Sequence, residues 1–188
     1  LMLQQSRKDY GEYSLKAALV GQEKQPVIKI FLFALLLFGV AGICSSTILP
    51  LEKMLLFSVQ EKVLAFLPVG FDWDNIENIK SFPESIIIAT CAVYFVFNVL
   101  VGPITEEFFF RGYLTAYNNK YRNWTPVIIT ILFSLYHFWL PFQNIFRIFI
   151  FLPMAYISYR KKNLYICMVS HILCNLFTTI SFIMAVIK

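Results

Sequence analysis

From about Val27 to Leu49 the chain is almost wholly apolar, and residues 30–49 carry no charged side chain. A stretch of that kind restricts the fold sharply. Hydrocarbon about 30 Å thick is crossed by roughly 20 helical residues. Within it every backbone N–H must find its partner inside the protein, which leaves only helices and closed barrels. Further apolar runs begin near Ser85, Trp124, Ile145 and Leu164. They are continuous and do not alternate in polarity, which argues against a barrel. Hydrophobic residues make up 59% of the 188 and charged ones 14%, against about 45–50% and 25% in soluble domains. The expected fold class is all-α, a polytopic transmembrane helix bundle in a single membrane domain over residues 1–188.

The first span, Val27 to Leu49, is closed by Pro50 and carries a small-residue face of Gly39, Ala41, Gly42, Ser45 and Ser46 suited to close helix contact. Met54 to Leu67 places Leu56, Val59, Val63, Phe66 and Leu67 on one side and Gln60, Glu61 and Lys62 in its middle. That pattern predicts a helix lying at the interface, with a short re-entrant helix as the alternative. Gly70 to Pro83, with Asp72, Trp73, Asp74 and Glu77, reads as a non-cytosolic loop. A second span starts near Ser85, passes Gly102-Pro103 and continues to about Tyr117; the proline marks either a kink or a new helix start. Trp124 to Leu140, Ile145 to Tyr159 and Leu164 to Ile187 complete about five spans plus one interfacial or re-entrant helix.

Basic residues cluster in the lead-in (Arg7, Lys8, Lys16, Lys24, Lys29), at 120–122 and at 160–162, which are alternate loops. The net charge of +5 is therefore a topology signal that sets the N-terminus and these loops in the cytosol. No nucleic-acid partner is expected, since the bases form no separate stripe. Cys44, Cys91, Cys167 and Cys174 include no Cys-x-x-Cys pair and read as packing residues. No cleavable signal peptide is expected, because the first apolar run begins late and no small-residue cleavage site follows it.

Three polar constellations interrupt the apolar runs. In Thr105-Glu106-Glu107-Phe108-Phe109-Phe110-Arg111-Gly112, Glu107 and Arg111 are four residues apart, in reach of an ion pair that lowers the cost of burying both. Glu106 points about 100° away, without that partner, as a general base would. His137 follows Phe133 by one helical turn. His171 and Asn175 share a face, and both can donate to a developing oxyanion. Each cluster also has a structural explanation as an ion-pair network or an interhelical polar contact. Together they form a hydrolytic set in which an activated water attacks an amide carbonyl. Zinc held by Glu106, His137 and His171 is the less favoured reading. His-Glu-x-x-His is absent, the histidines sit on different helices, and ligation would consume the oxyanion donors. No cofactor is expected.

These three elements, in this order, resemble the signature of the CAAX-processing and bacteriocin-processing (CPBP, or Abi) intramembrane endopeptidases, which include the Rce1-like prenyl proteases. The pattern Glu-Glu-x-x-x-Arg, Phe-x-x-x-His, His-x-x-x-Asn is met by Glu106, Glu107 and Arg111, by Phe133 and His137, and by His171 and Asn175. The resemblance covers about residues 84–180. It implies a metal-free glutamate mechanism with Glu106 as base, His137 holding the water, and His171 and Asn175 at the oxyanion; Glu107, Arg111 and Phe133 are supporting residues. It implies membrane lipid and a peptide or lipidated-protein substrate as partners, with an accessory membrane protein left open. The expected setting is a bacterial plasma membrane with the catalytic cavity opening to the cytosol. The competing class is a non-catalytic bacteriocin-immunity or scaffold protein, and a proton-coupled transporter ranks third. The catalytic side chains are expected to converge on one cavity.

Overall fold

The computed structural model describes residues 1–68 and 76–187, and all regular secondary structure in them is helical. The expected loop residues Asp72, Trp73 and Asp74 lie outside the described residues. Seven helices are named here among the described residues: α1 (Met2–Tyr10), α2 (Val27–Leu64), α3 (Ile76–Lys80), α4 (Glu84–Tyr117), α5 (Thr125–Tyr136), α6 (Asn144–Lys161) and α7 (Leu164–Val186). Of these, α2, α4 and α7 are long and apolar enough to cross a membrane. The outward side chains fit that solvent: Leu36, Phe57, Phe97 and Phe177 are each more than half exposed. The all-α membrane bundle expected from the sequence is the fold observed.

One expected span is shorter than its apolar run suggested, and the next is slightly longer. The helix expected over Trp124 to Leu140 stops at Tyr136, and its 12 residues reach only about 18 Å. Its end is set by His137, whose backbone leaves the helical region at φ −81°, ψ 47°. Helix α6 has 18 residues with Pro153 inside. It ends at Lys162 in the left-handed conformation, a position that favours glycine. Lys162 is fixed there by Glu23, through a Glu23 N–H donating to its carbonyl at 2.6 Å and an ion pair at 2.8 Å.

Pro50 does not end the first helix, and Met54 to Leu67 is not a separate interfacial or re-entrant element. Pro50 and residues 54–64 belong to α2, which runs unbroken for 38 residues, and residues 65–67 follow it as a turn. The proline removes one ladder bond, and a contact two residues further on holds the helix in place. The Glu52 carboxylate, 2% exposed, accepts the Ile145 N–H at 2.9 Å and the Phe146 N–H at 2.7 Å. It thus caps the first turn of α6 from another helix, satisfying two amides that have no partner of their own in that turn.

The lead-in is docked against the bundle. Ala17 and Ala18 are fully buried in a single 3-10 turn. Ala18 lies so close to Gly112 on α4 that a methyl group there would stand 2.5 Å from the Ala18 carbonyl oxygen. Gln22 accepts the Leu164 N–H at 2.7 Å, and Asn163 donates to the Glu23 carbonyl at 2.9 Å. Residues 22–23 are therefore stapled to the α6–α7 turn. The segment expected as a loop from Gly70 is helical at α3, where Glu77 sits in the first turn.

Glu52→Ala leaves two N-terminal amides of α6 without acceptors. It should destabilise the protein by about 1–3 kcal/mol, read as a lower midpoint of thermal unfolding in detergent. An unchanged midpoint would mean that the contact contributes nothing.

Candidate active site

Helix α4 carries the Glu-Glu pair, and its backbone departs from regular α geometry on both sides of it. Residues Val96–Val101 and Phe108–Leu114 form wide turns with i→i+5 hydrogen bonds, and Gly102–Glu107 between them is α-helical. The cause is readable in the sequence. The Gly102 N–H bonds back to the Phe97 carbonyl, and Pro103 has no N–H to offer, so the Asn98 carbonyl loses both helical donors. Asn175 on α7 supplies the replacement, its Nδ2 donating to the Asn98 oxygen at 2.8 Å. Beside it the Asn98 amide donates to Thr179 Oγ1 at 2.8 Å. The two bonds clamp α4 to α7 next to the glutamates.

Glu107 is completely buried. Its Oε1 accepts Arg111 Nη1 at 3.1 Å and lies 2.9 Å from His171 Nδ1. The Arg111 guanidinium stacks on Phe133 at 4.1 Å and Phe151 at 5.1 Å, which compensates a cation held away from water. Phe133 in turn fixes His137: its carbonyl oxygen lies 2.8 Å from His137 Nδ1. A carbonyl can only accept, so that nitrogen carries a proton and the Nε2 of neutral His137 presents a lone pair.

Both Nε2 atoms face Glu106. His137 Nε2 is 3.9 Å from Glu106 Oε1, and His171 Nε2 is 3.9 Å from Glu106 Oε2. These distances are too long for direct hydrogen bonds and match a carboxylate with a polar group on each side. Exposure separates the members. The Glu106 and His137 side chains are 15% and 14% exposed, while those of Glu107, Arg111 and His171 are 0%, 3% and 4%. Glu106 is partly accessible, and Glu107 is sealed off.

The structure thus brings together Glu106, His137 and His171, with Glu107, Arg111 and Phe133 supporting them. Asn175 sits one turn from His171 and has one amide hydrogen committed to Asn98; its second has no partner among the described residues. Counted along the helices from the end that holds the basic loops, His171, Glu106 and His137 lie about 10, 16 and 18 Å deep. The side chains nonetheless meet, each imidazole Nε2 lying 3.9 Å from the Glu106 carboxylate. Among the described residues, no three His, Cys, Asp or Glu side chains are placed to share a metal ion.

Two buried charges near the site were not among the residues expected from sequence: Glu52 and Arg147. Arg147, 7% exposed, donates to the Ser134 carbonyl at 3.3 Å and to Asn144 Oδ1 at 3.1 Å, and its charge acts on both Glu106 and His137. Its signal was present as a lone arginine at the start of an apolar run. Asn98 and Thr179 were also missed, since an amide or hydroxyl in a membrane helix is unremarkable until its partner is known.

Residues 88–177 match a family model described as type II CAAX prenyl endopeptidase Rce1-like. The match begins in α4, ends in α7 and contains Glu106, Glu107, Arg111, Phe133, His137, His171 and Asn175. It points to membrane-embedded proteins of the CAAX-protease type. Over this segment, just under half of the 188 residues, the chain is similar to the Rce1-like family. No curated protein and no solved structure matches the chain.

Arg111→Met strands the Glu107 charge in a dry interior and should cost about 3–5 kcal/mol. Adding Glu107→Gln should recover part of the loss, because the second change removes the stranded charge. Thermal unfolding of the two single variants and the double variant measures the coupling; strictly additive losses would show that the pair does not act as a unit.

Proposed function

We propose that this protein is an intramembrane glutamate-type endopeptidase that hydrolyses a peptide bond in a membrane-associated or lipidated peptide or protein. The observation that carries the reading is the arrangement around Glu106. One accessible carboxylate has an imidazole Nε2 at 3.9 Å from each oxygen, and each ring is oriented through Nδ1 by a buried acceptor.

In this mechanism a water between Glu106 and His137 donates one hydrogen to the carboxylate and the other to the His137 Nε2 lone pair. Glu106 takes the proton as the oxygen attacks the amide carbonyl, and returns it to the departing amine. The products are a carboxylic acid and an amine, and Glu106 ends as it began. His171 donates from Nε2 to the tetrahedral oxyanion when its ring carries both protons, a state compensated by the Glu107 carboxylate at 2.9 Å. The uncommitted amide hydrogen of Asn175 is a second donor.

The surroundings of His137 support a membrane-borne substrate. Its ring packs against Tyr136 at 5.2 Å and Trp139 at 5.0 Å, and Phe138 next to it is 76% exposed. An apolar peptide flank or lipid chain delivered from the bilayer meets aromatic surface beside the carboxylate.

Purified protein in detergent or vesicles should cleave a membrane-anchored reporter peptide. Glu106→Gln and His137→Ala should each lower turnover by about 10²-fold or more with the unfolding midpoint retained. Turnover that survives both substitutions would remove Glu106 from the chemistry. A strong chelator should leave wild-type turnover unchanged; loss that zinc restores would instead assign Glu106, His137 and His171 to a metal.

A further inference from the structure

At the end of the bundle where the α4–α5 connection, the α6–α7 turn and the docked lead-in meet, the protein forms a partly open cavity of about 440 Å³. That volume falls within the roughly 300–1,000 Å³ range of small-molecule sites. Glu106, His137 and His171 do not line it. Its lining contains Arg111, Arg160 and Lys162 and no Asp or Glu. Lys162 is paired with Glu23 and Arg111 with Glu107, so the uncompensated charge belongs to Arg160, while Arg111 keeps donors that its partner does not reach.

Arg111 is the residue that points to a ligand. It is 4% exposed; Nη1 is committed to Glu107, and the face of the guanidinium lies on Phe133 and Phe151. Its Nε and Nη2 are both buried and have no hydrogen-bond partner among the described residues. Stacking on a ring satisfies the face of a guanidinium and leaves its edge N–H groups unused. Leaving donors of a charged group unsatisfied in a dry position is costly. The Nε–Nη2 edge is also the fork that grips two oxygens of one anion.

The neutral part of the lining has the same bias. Asn119 Oδ1 accepts the Tyr159 hydroxyl at 2.6 Å, and Gln22 Oε1 accepts the Leu164 N–H at 2.7 Å. Each amide has therefore used its oxygen and keeps its NH₂ group. With these two amide oxygens spent and their NH₂ groups left over beside Arg111 and Arg160, the lining favours an anion. Donors from Arg111, Asn119, Gln22 and Arg160 exceed what the two oxygens of a carboxylate can engage, and match the larger oxygen set of a phosphoryl group.

We propose that this cavity binds a phosphate group, carried by a lipid headgroup or free in solution, with the Arg111 Nε–Nη2 edge as its anchor and Gln22, Asn119 and Arg160 around it. Arg111 then holds the phosphate on one edge and Glu107 on another. The site is distinct from the hydrolytic cluster, and binding should persist in Glu106→Gln protein whether or not that cluster is catalytic.

The test uses the whole protein in neutral detergent, titrated calorimetrically with inorganic phosphate. In parallel, the protein is reconstituted in phosphatidylcholine nanodiscs with and without phosphatidic acid, and bound lipid is counted after extraction. Asn119→Leu with Arg160→Gln changes two exposed residues and spares Arg111 and the Glu106 cluster; Arg160→Gln alone serves should the pair disturb folding. Phosphate or phosphatidic acid should bind the wild type, and the double variant should bind at least about tenfold more weakly, with the unfolding midpoint and basal turnover retained. Saturation by inorganic phosphate identifies the free anion, retention of phosphatidic acid alone identifies the headgroup, and either supports the site. The proposal is overturned by equal affinity in wild type and variant, by binding of neither probe, or by an acetylated peptide carboxylate binding more tightly than phosphate.

Discussion

A carboxylate with no access to water sets the terms for the rest of the site. Glu107 shares one oxygen between Arg111 and His171, so a single buried charge fixes a side chain on its own helix and another on α7. Arg111 presses on Phe133, and Phe133 holds His137 through its carbonyl. Each step is short and local, yet together they aim two imidazoles at Glu106. Burying an ion pair seldom adds stability over an apolar pair of the same shape. Here the charge is retained because an apolar pair could not orient His171.

The backbone makes a second contribution, through what Pro103 cannot do. A helix of ordinary geometry would leave the Glu106 region without distinguishing features; wide turns on either side alter its heading relative to α7 and leave the Asn98 carbonyl open. Wide turns of this kind occur often at functional sites, where a displaced backbone group becomes useful. In this protein the open carbonyl becomes a docking point for Asn175, so a local defect in α4 is what ties α4 to α7.

The sequence made some of this legible. The Glu107–Arg111 pair follows from spacing alone, because residues four apart on a helix face each other. The bundle follows from the apolar runs, and the three-part pattern named the residues that meet. Other features depend on partners remote in sequence. Pro50 looked like a terminus because the acceptor role of Glu52 toward Ile145 and Phe146, more than ninety residues later, is invisible to local pattern. The direction of Glu106 could not be computed at 100° per residue across turns that follow another period. The docking of the lead-in was not legible because Ala17 and Ala18 carry no signal of burial, although Gly112 opposite them marks a close approach.

Helix α2 has 38 residues and is therefore about 57 Å long, close to twice the roughly 30 Å thickness of bilayer hydrocarbon. Its apolar surface continues past Pro50 through Met54, Leu55 and Phe57, all strongly exposed. A rod with that much hydrophobic mismatch must tilt, or bend where the proline has removed a bond. Either response moves Glu52, and Glu52 grips the end of α6 that also carries Arg147. Membrane thickness is thereby a mechanical load on one wall of the Glu106 cluster, delivered through a helix that supplies none of its side chains.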